Sequence, residues 1–316
     1  MRVHYVIRRL AASCLTVLIV ATIVFIILRL IPGDPAQLIV GIEAPVERVQ
    51  EVRVLLKLDR PLAFQYLSWL GEICQGDFGI SLRSQEPVLS MLFRRIHVTF
   101  WLAAFAMLIA MLIAFPLGLA AALRPWSWVD LFSLTTAQVG LAVPSFWLGI
   151  LLMLLFSVHL KWFPLLGYIE FSKSPAEWLH HLLLPAFALG LIRAAVLTRM
   201  IRIAMLDELH KEYVIVARAK GINEWRVILH HVLRNALLPV ITIAGLQLGE
   251  LFGGAIIIEQ IFGLPGIGRL LLNAISGRDF PVVQGGVVLL AIMFTGLNLL
   301  IDVMYGALNP KVSLQS

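Results

Sequence analysis

Residues 209–239 read L-H-K-E-Y-V-I-V-A-R-A-K-G-I-N-E-W-R-V-I-L-H-H-V-L-R-N-A-L-L-P and lie between two apolar segments. This stretch is the most basic part of the chain, and its cationic residues are Lys211, Arg218, Lys220, Arg226 and Arg234. It is nevertheless too apolar for an unstructured loop. The pattern predicts two short helices that meet at Gly221, because glycine adopts the left-handed conformation at a helix C-terminus without strain.

Apolar residues recur at helical spacing on both sides of this glycine. The first helix is marked by Leu206, Leu209, Tyr213 and Val216, and it ends in the good helix formers Ala217, Arg218, Ala219 and Lys220. Asn223 is placed to cap the second helix. The apolar stripe of that helix consists of Trp225, Ile228, Leu229, Val232 and Leu233. We therefore expect a bent element, apolar on one face and cationic on the other, that either docks a partner or packs as a loop on neighbouring helices.

The composition is that of an integral membrane protein. Of the 316 residues, 60% are hydrophobic and only 14% are charged, and the mean hydropathy is +0.91. A water-soluble domain of this size needs a larger charged surface. The net charge of +6 lies mostly at the ends of apolar segments, so it indicates topology and argues against a nucleic-acid partner. Cys14 and Cys74 are badly placed to form a disulfide or a metal-thiolate site.

About six segments are predicted to span the membrane: 10–28, 98–123, 131–158, a segment that starts near 178, 236–258 and 283–308. Arg8 and Arg9 precede the first span, which predicts a cytoplasmic N-terminus, and six spans return the C-terminus to the cytoplasm. Pro144 is expected to kink the third span. The arginines toward the far end of the fourth span are expected to snorkel to the cytoplasmic surface, and they are Arg193, Arg199 and Arg202.

Residues 36–97, between the first two spans, form a mixed segment with balanced charge. We expect short amphipathic helices that lie on the outer membrane face, with a separate ligand-binding module as the alternative.

The stretch 209–239 resembles the coupling loop of ABC importer permeases. The general signature of that loop is E-A-A-x-x-x-G followed by an apolar segment and L-P. The matching positions here are Ile215, Val216, Ala217 and Gly221, with Leu238 and Pro239 beyond them. The Glu is absent and the spacing from glycine to proline is longer than in the general motif. Both departures are shared by the branch with A-R-A-K-G and L-R-N-A-L-L-P, the permeases of dipeptide, oligopeptide, nickel and glutathione importers, and this resemblance runs nearly end to end.

The resemblance implies an all-α membrane protein with the transmembrane domain of type-1 ABC importers, located in the bacterial inner membrane. It implies four partners: a second homologous permease, two cytoplasmic ATPase subunits and an extracytoplasmic substrate-binding protein. No cofactor is expected on this chain. In the branch, the loop enters a groove on the ATPase. That role falls here on Tyr213, Ala217, Arg218, Ala219, Lys220, Gly221, Asn223 and Trp225.

The expected division of the chain has three parts. Residues 1–94 hold the first transmembrane helix and the extracytoplasmic segment. Residues 95–308 form the transmembrane domain, with a cytoplasmic coupling loop at 203–235, and residues 309–316 form a cytoplasmic tail.

Two acidic residues in the fifth span are candidate functional residues. Glu250 lies in the middle of the apolar span, near Gln247, where a carboxylate costs roughly 2.5–3.5 kcal/mol on insertion scales unless it faces water or a partner. We expect Glu250 and Gln247 to line a translocation cavity. The alternatives for Glu250 are a carboxylate paired with a neighbouring helix and a carboxylate held protonated by its surroundings. Glu259, at the outer end of the span, is expected either to gate the outer mouth or to cap nearby backbone donors.

The sequence carries no pattern that indicates an enzyme. It lacks the G-x-x-x-x-G-K-[ST] motif, so any ATP must be bound by another subunit. The glycine-rich segment 263–269 predicts a turn before a short re-entrant helix at 269–275. The adjacent pairs His180–His181 and His230–His231 point about 100° apart on a helix, so neither pair chelates a metal alone. No nucleophile–base or paired-carboxylate arrangement is evident.

Di- or oligopeptides are the first expectation for the substrate. Nickel or a metal chelate follows, because I-I-I-E-Q-I-F and G-E-L-F-G-G also resemble nickel-type permeases, and glutathione is third. Two other classes of protein stay open on the residues alone. A secondary transporter should show inverted repeats and buried ion-coordinating charges, but no repeat is visible and only Glu250 lies deep. A membrane receptor or scaffold would use the same loop to dock a signalling partner.

Overall fold

The computed structural model describes residues 2–30, 35–41, 44–55 and 58–308, and these residues are largely helical. The first helices in the chain are α1 (Arg2–Leu30), α2 (Pro35–Val40), α3 (Val46–Leu55), α4 (Leu62–Cys74), α5 (Val88–Leu123), α6 (Trp128–Ala142) and α7 (Ser145–Leu152). They are followed by α8 (Pro175–Leu209), α9 (Glu212–Ala219), α10 (Glu224–Arg226), α11 (Leu233–Phe262), α12 (Ile267–Ser276) and α13 (Phe280–Leu308). The predicted tail at 309–316 lies outside the described residues.

The prediction of about six spans is confirmed. Five helical stretches of the described residues are long and apolar enough to cross a membrane, and they are Ile7–Leu30, Val88–Leu123, Pro175–Leu209, Glu224–Phe262 and Phe280–Val303. A bent helix pair, Trp128–Ala142 with Ser145–His159, raises the number to six if it is counted as one span.

The third span is broken at Pro144 rather than kinked. The two helices meet at an angle of 102°. Val143, the residue before the proline, has extended backbone angles (φ −89°, ψ 123°), as the proline ring requires of its predecessor. Because Pro144 also lacks an N–H donor, α6 ends before it and α7 begins immediately after it.

Several predicted boundaries are corrected by the helices themselves. Helix α5 begins at Val88, whereas the second span was predicted to begin at residue 98. The division of the chain between residues 94 and 95 stays a prediction. Leu206 and Leu209 belong to the end of α8, and a break at His210 and Lys211 separates them from α9. The second helix of the loop does not stop before the fifth span. It continues through a π-helical segment, Val227–Val232, into α11.

Helices α5 and α8 pack closely through small residues. Buried Ala106, Ala110, Ala114 and Gly118 recur every fourth position along α5, which brings small side chains to one face. A Cβ on Gly190 of α8 would lie 2.7 Å from the carbonyl oxygen of Ala106. A Cβ on Gly118 would lie 2.8 Å from the carbonyl oxygen of Thr198. The backbones of the two helices therefore approach closely enough to exclude a side chain at either glycine.

We expect Gly190→Leu to lower the amount of folded protein in the membrane strongly. The new side chain would meet the backbone of α5, which cannot move aside as a flexible side chain can. Gly253→Leu is the matched control, because a Cβ at that helical glycine meets no atom within 4 Å. Size-exclusion chromatography in detergent measures the effect. Equal yields of the two variants would contradict close packing of α5 on α8.

The region between the first two spans contains the short helices α2, α3 and α4. Helix α4 packs on the end of α1, where the Tyr66 and Thr22 hydroxyl oxygens are 2.6 Å apart and the rings of Trp69 and Phe25 are 5.5 Å apart. Its other face exposes Leu62, Phe64 and Leu67. Helix α12 is the short helix that was predicted after the glycine-rich turn.

Candidate functional site

The predicted bend is present at Gly221, between α9 and α10. Gly221 has φ +74°, the left-handed conformation. Its N–H donates to the Arg218 carbonyl at 2.9 Å, and the N–H of Ile222 donates to the Ala217 carbonyl at 3.4 Å. These two bonds form the Schellman motif that ends a helix at glycine. Asn223 then caps α10, because its Oδ1 accepts from the N–H of Trp225 at 3.0 Å.

A bidentate ion pair closes the bend. The Arg218 guanidinium donates from Nε to Glu224 Oε2 at 3.1 Å and from Nη2 to Oε1 at 2.6 Å. This hydrogen bonding raises the pKa of Arg218 above its usual range. The pair joins α9 to α10 across the bend, and both side chains are largely exposed. Sequence reasoning selected Arg218 but missed Glu224, whose signal is an opposite charge just across the predicted turn.

The inner side of the loop is a compact apolar surface. Val214 and Ala217 of α9 are buried together with Val227, Ile228 and Val232, which follow the bend. They belong to the same cluster as Ala122 of α5 and Met205 of α8. The loop is therefore packed against the ends of two long helices.

Tyr213 ties the start of the loop to both neighbouring spans. Its hydroxyl donates to Glu208 Oε2 in α8 at 2.7 Å and accepts from Asn235 Nδ2 in α11 at 3.2 Å. Glu208 also pairs with Lys211. Burial raises the pKa of the Tyr213 hydroxyl, so this group stays protonated as a donor. Glu208 and Asn235 were not foreseen as part of the site.

The outer side of the loop is apolar as well as basic, which corrects the expected separation into two faces. Trp225 is 64% exposed and Leu229 is 47% exposed, so the stripe expected through Trp225, Ile228, Leu229, Val232 and Leu233 is divided between the two sides. We define the loop tip as the exposed residues Ile215, Val216, Ala219, Lys220, Gly221 and Trp225. The loop tip offers apolar side chains beside Lys220, with the Arg218–Glu224 pair at its base.

Glu250 and Gln247 both contact Arg193 of α8. Arg193 Nη1 donates to Glu250 Oε2 at 2.5 Å and to Gln247 Oε1 at 2.7 Å. The structure thus brings the two predicted residues together through a third. Arg193 forms a polar link between α8 and α11, which differs from the snorkelling arginine that was expected.

Arg202 likewise pairs with an acidic side chain. Asp130, near the start of α6, is 2% exposed and accepts from Arg202 Nε at 2.5 Å and Nη2 at 2.7 Å. Asp130 Oδ2 also accepts from the N–H of Trp126 at 2.9 Å, so the carboxylate joins the turn before α6 to the end of α8. Arg199 is exposed.

Glu259 is fully buried and faces α12 and α5. Its Oε1 accepts from the Thr99 hydroxyl at 2.5 Å, and its Oε2 accepts from the N–H of Arg269 at 3.0 Å. A Cβ on Gly266 would lie 2.1 Å from Oε1, so only glycine lets the carboxylate reach the start of α12. Glu259 thus accepts from a backbone N–H in the first turn of α12, as the capping alternative expected. A role as an outer gate stays a prediction.

Among the described residues, no group of three or more His, Cys, Asp or Glu side chains is placed to hold a metal ion. His180 Nε2 contacts the Trp162 carbonyl at 2.7 Å, and His181 Nδ1 contacts the Glu177 carbonyl at 2.8 Å.

The long apolar helices are those of a multi-pass membrane protein, and the bent, packed loop agrees with the transmembrane domain of an ABC transporter. The chain belongs to the family described as binding-protein-dependent transport system inner membrane component, whose family model matches residues 114–314. A second model, for the N-terminal part of such membrane components, matches residues 2–103.

Curated relatives match along nearly the whole chain. The chain is 42% identical over 307 residues, 97% of its length and 98% of the relative, to a protein of Brucella suis biovar 1 named "Putative peptide transport system permease protein". It is also 42% identical over 309 residues, 98% of each chain, to the glutathione transport system permease protein GsiC of Salmonella typhimurium.

Solved structures support the fold. An inward-facing MetNI methionine ABC transporter chain aligns with a TM-score of 0.56 and 18% identity, over 70% of this chain and 97% of that chain. An amino acid ABC transporter chain aligns with a TM-score of 0.51 and 14% identity, over 69% of this chain and 94% of that chain.

The chain is therefore a permease subunit of a binding-protein-dependent ABC importer, a multi-pass protein of the inner membrane. Permeases of this family work with ATPase subunits, a substrate-binding protein and a second permease. ATP hydrolysis takes place in the separate ATPase subunits. The predictions of the fold class and of a non-enzymatic permease are confirmed, and the secondary-transporter and receptor alternatives are set aside.

Proposed function

We propose that this chain forms one half of the translocation pathway of a peptide importer. A second homologous permease forms the other half, two cytoplasmic ATPase subunits drive the cycle, and an extracytoplasmic binding protein delivers the substrate. The observation that carries the substrate class is the 42% identity, over 97% of the chain, to a relative named for peptide transport.

The loop tip is the proposed docking surface for the ATPase. It combines exposed apolar side chains with the basic side chain of Lys220, and Ile215 and Val216 are 60% and 51% exposed. The inner side of the same loop is buried against α5 and α8. A partner can bind the exposed side of such a loop, and the packed inner side can transmit the partner's motion to the helices.

The loop is connected to the fifth span without a helical break. Glu224–Phe262 is one continuous helical stretch that carries Trp225 at one end and Glu250 further along. Tyr213 and the cluster around Val214 connect the loop to α8 as well. We infer that displacement of the loop tip moves α8 and α11 together, so that nucleotide-driven motion reaches the residues around Glu250.

We propose that the N- and C-termini and the loop tip lie on the cytoplasmic side. Single cysteines at Lys220 and at Glu86 test this orientation, after Cys14 and Cys74 have been replaced by serine, because both are exposed. An impermeant maleimide added to intact cells should label the cysteine at residue 86 and leave the one at residue 220 unlabelled. Labelling at residue 220 from outside would contradict the orientation.

Glutathione import is the second candidate, because GsiC is equally similar at 42% identity. Both substrates are peptides with free carboxylates, and both require the same architecture. Mass spectrometry of the material bound to the cognate binding protein distinguishes them. A mixture of short peptides supports the first candidate, and a single γ-glutamyl tripeptide supports the second. Recovery of a metal or chelate without peptide would contradict both and favour the nickel-type alternative.

A further inference from the structure

The polar link between Arg193 and Glu250 lies within two long apolar helices. Arg193 is near the middle of α8 (Pro175–Leu209), and Glu250 is well inside the span Glu224–Phe262. Charged side chains at such depth are costly, and they face one another, a partner or a water-filled cavity. This location separates the pair from the ion pairs at the helix ends, such as Arg218–Glu224.

The two partners differ in exposure. The Arg193 side chain is 18% exposed, whereas the Glu250 side chain is 57% exposed. The guanidinium lies along α11, where it contacts Gln247 and Glu250, and a Cβ on Gly254 would be 3.8 Å from Nη2. The arginine is thus held in place by the helix, and the carboxylate is turned outward.

Glu250 lies on an open face of α11. Its neighbours on that face, at helical spacing, are Leu246, Gly253, Ile257 and Gln260, all exposed. A face that carries a carboxylate does not suit lipid, so it suits the pathway between two permease halves. A substrate on that face meets Glu250 first and Arg193 directly behind it.

We infer that Arg193 and Glu250 form a substrate-reading site for zwitterions, in which Glu250 receives the α-ammonium group of a peptide and Arg193 receives its carboxylate. The inference rests on the proposed function in peptide import. When a zwitterion binds, the ion pair between Arg193 and Glu250 is replaced by two ion pairs with the peptide. Each of the four charges therefore keeps an opposite charge beside it. Gln247 remains bonded to the guanidinium and keeps it in position during the exchange.

A peptide without one of its charges cannot make this exchange. It leaves either the carboxylate or the guanidinium without an opposite charge, which is unfavourable at this depth in the membrane. The site therefore discriminates against peptides that are capped at either end, and a different residue recognises each end. Glu250 reads the amino end, and Arg193 reads the carboxyl end.

The test uses the complete importer, with its cognate ATPases and binding protein, in proteoliposomes. Uptake of dialanine, N-acetyl-dialanine and dialanine amide is measured for wild type, Glu250→Gln and Arg193→Gln, and is normalised to the amount of assembled complex. Because the binding protein is the same throughout, a change in the ratio between peptides belongs to the permease. Asp302→Asn is the control, since Asp302 pairs with Arg9 at 2.9 Å and links α1 to α13 instead.

Glu250→Gln should lower the preference for dialanine over its N-acetyl form by about fivefold and leave the preference over the amide unchanged. Arg193→Gln should give the reverse pattern, and Asp302→Asn should change neither ratio. If both uptake ratios were unchanged in both variants, with or without loss of complex, the substrate-reading site would be contradicted. The ion pair would then only link α8 to α11. If the wild-type importer took up none of the three peptides, the proposed function in peptide import would be contradicted instead.

Discussion

Gly221→Val is expected to abolish uptake while leaving the permease in the membrane at nearly normal levels. The valine would have to adopt the φ of +74° that ends α9, a conformation that β-branched residues strongly resist. The cost is about 1–2 kcal/mol. A Cβ at this position meets no atom within 4 Å, so the effect comes from the backbone alone. Loss of the bend would misdirect the loop tip and weaken ATPase association, which copurification and uptake measure side by side.

Gly221→Asn is the matched control for this prediction. Asparagine is the residue other than glycine that most readily takes the left-handed conformation. It should therefore retain most of the uptake and of the ATPase copurification. Full uptake with valine, or equal loss with asparagine and valine, would show that the bend is not what the importer requires.

Asp130→Asn is expected to destabilise the fold more than any surface substitution. The change leaves Arg202, whose side chain is 16% exposed, without its carboxylate partner. Removal of one partner of a buried ion pair typically costs 3–5 kcal/mol, and about 3 kcal/mol is expected here because the pair lies near the helix ends. The asparagine would also have one acceptor oxygen in place of two, to be shared between Arg202 and the Trp126 N–H. The melting temperature of the purified permease in detergent reports the change.

The double variant Asp130→Asn with Arg202→Met separates charge from packing. It removes the unpaired cation, so it should regain much of the stability that the single variant loses. A single variant as stable as the wild type would contradict a structural role for the pair. A double variant less stable than the single one would show that the guanidinium stabilises the fold through other contacts.

The local features of the loop were predictable from the sequence because they depend on neighbouring residues. Gly221 and Asn223 have the expected roles because a helix end and a helix cap are set within a few positions of the chain. The end of α8 at Leu209 was not predictable in this way. Neither glycine nor proline marks the break at His210, and the residues on either side of it, Met205 and Val214, are buried in one apolar cluster.

The polar links between helices could not be predicted from spacing. Arg193 and Glu250 are 57 residues apart, and Arg202 and Asp130 are 72 residues apart, so no periodicity joins them. Asp130 lies just outside the predicted third span, 131–158, and was not singled out from the sequence. The four-residue spacing of small residues from Ala106 to Gly118 is present in the sequence, but no contact between α5 and α8 was predicted from it.

The most direct measurement of the central claim is photo-crosslinking from the loop tip. A photoreactive amino acid replaces Trp225, which is 64% exposed, in cells that express the cognate importer. The control position is Trp162, which is 61% exposed and lies beyond the opposite end of α8. The expected result is an ATPase subunit crosslinked at residue 225 and not at residue 162, identified by mass spectrometry. An ATPase that copurifies with the permease but crosslinks only at residue 162, or at neither position, would contradict the claim that this loop couples ATP hydrolysis to transport.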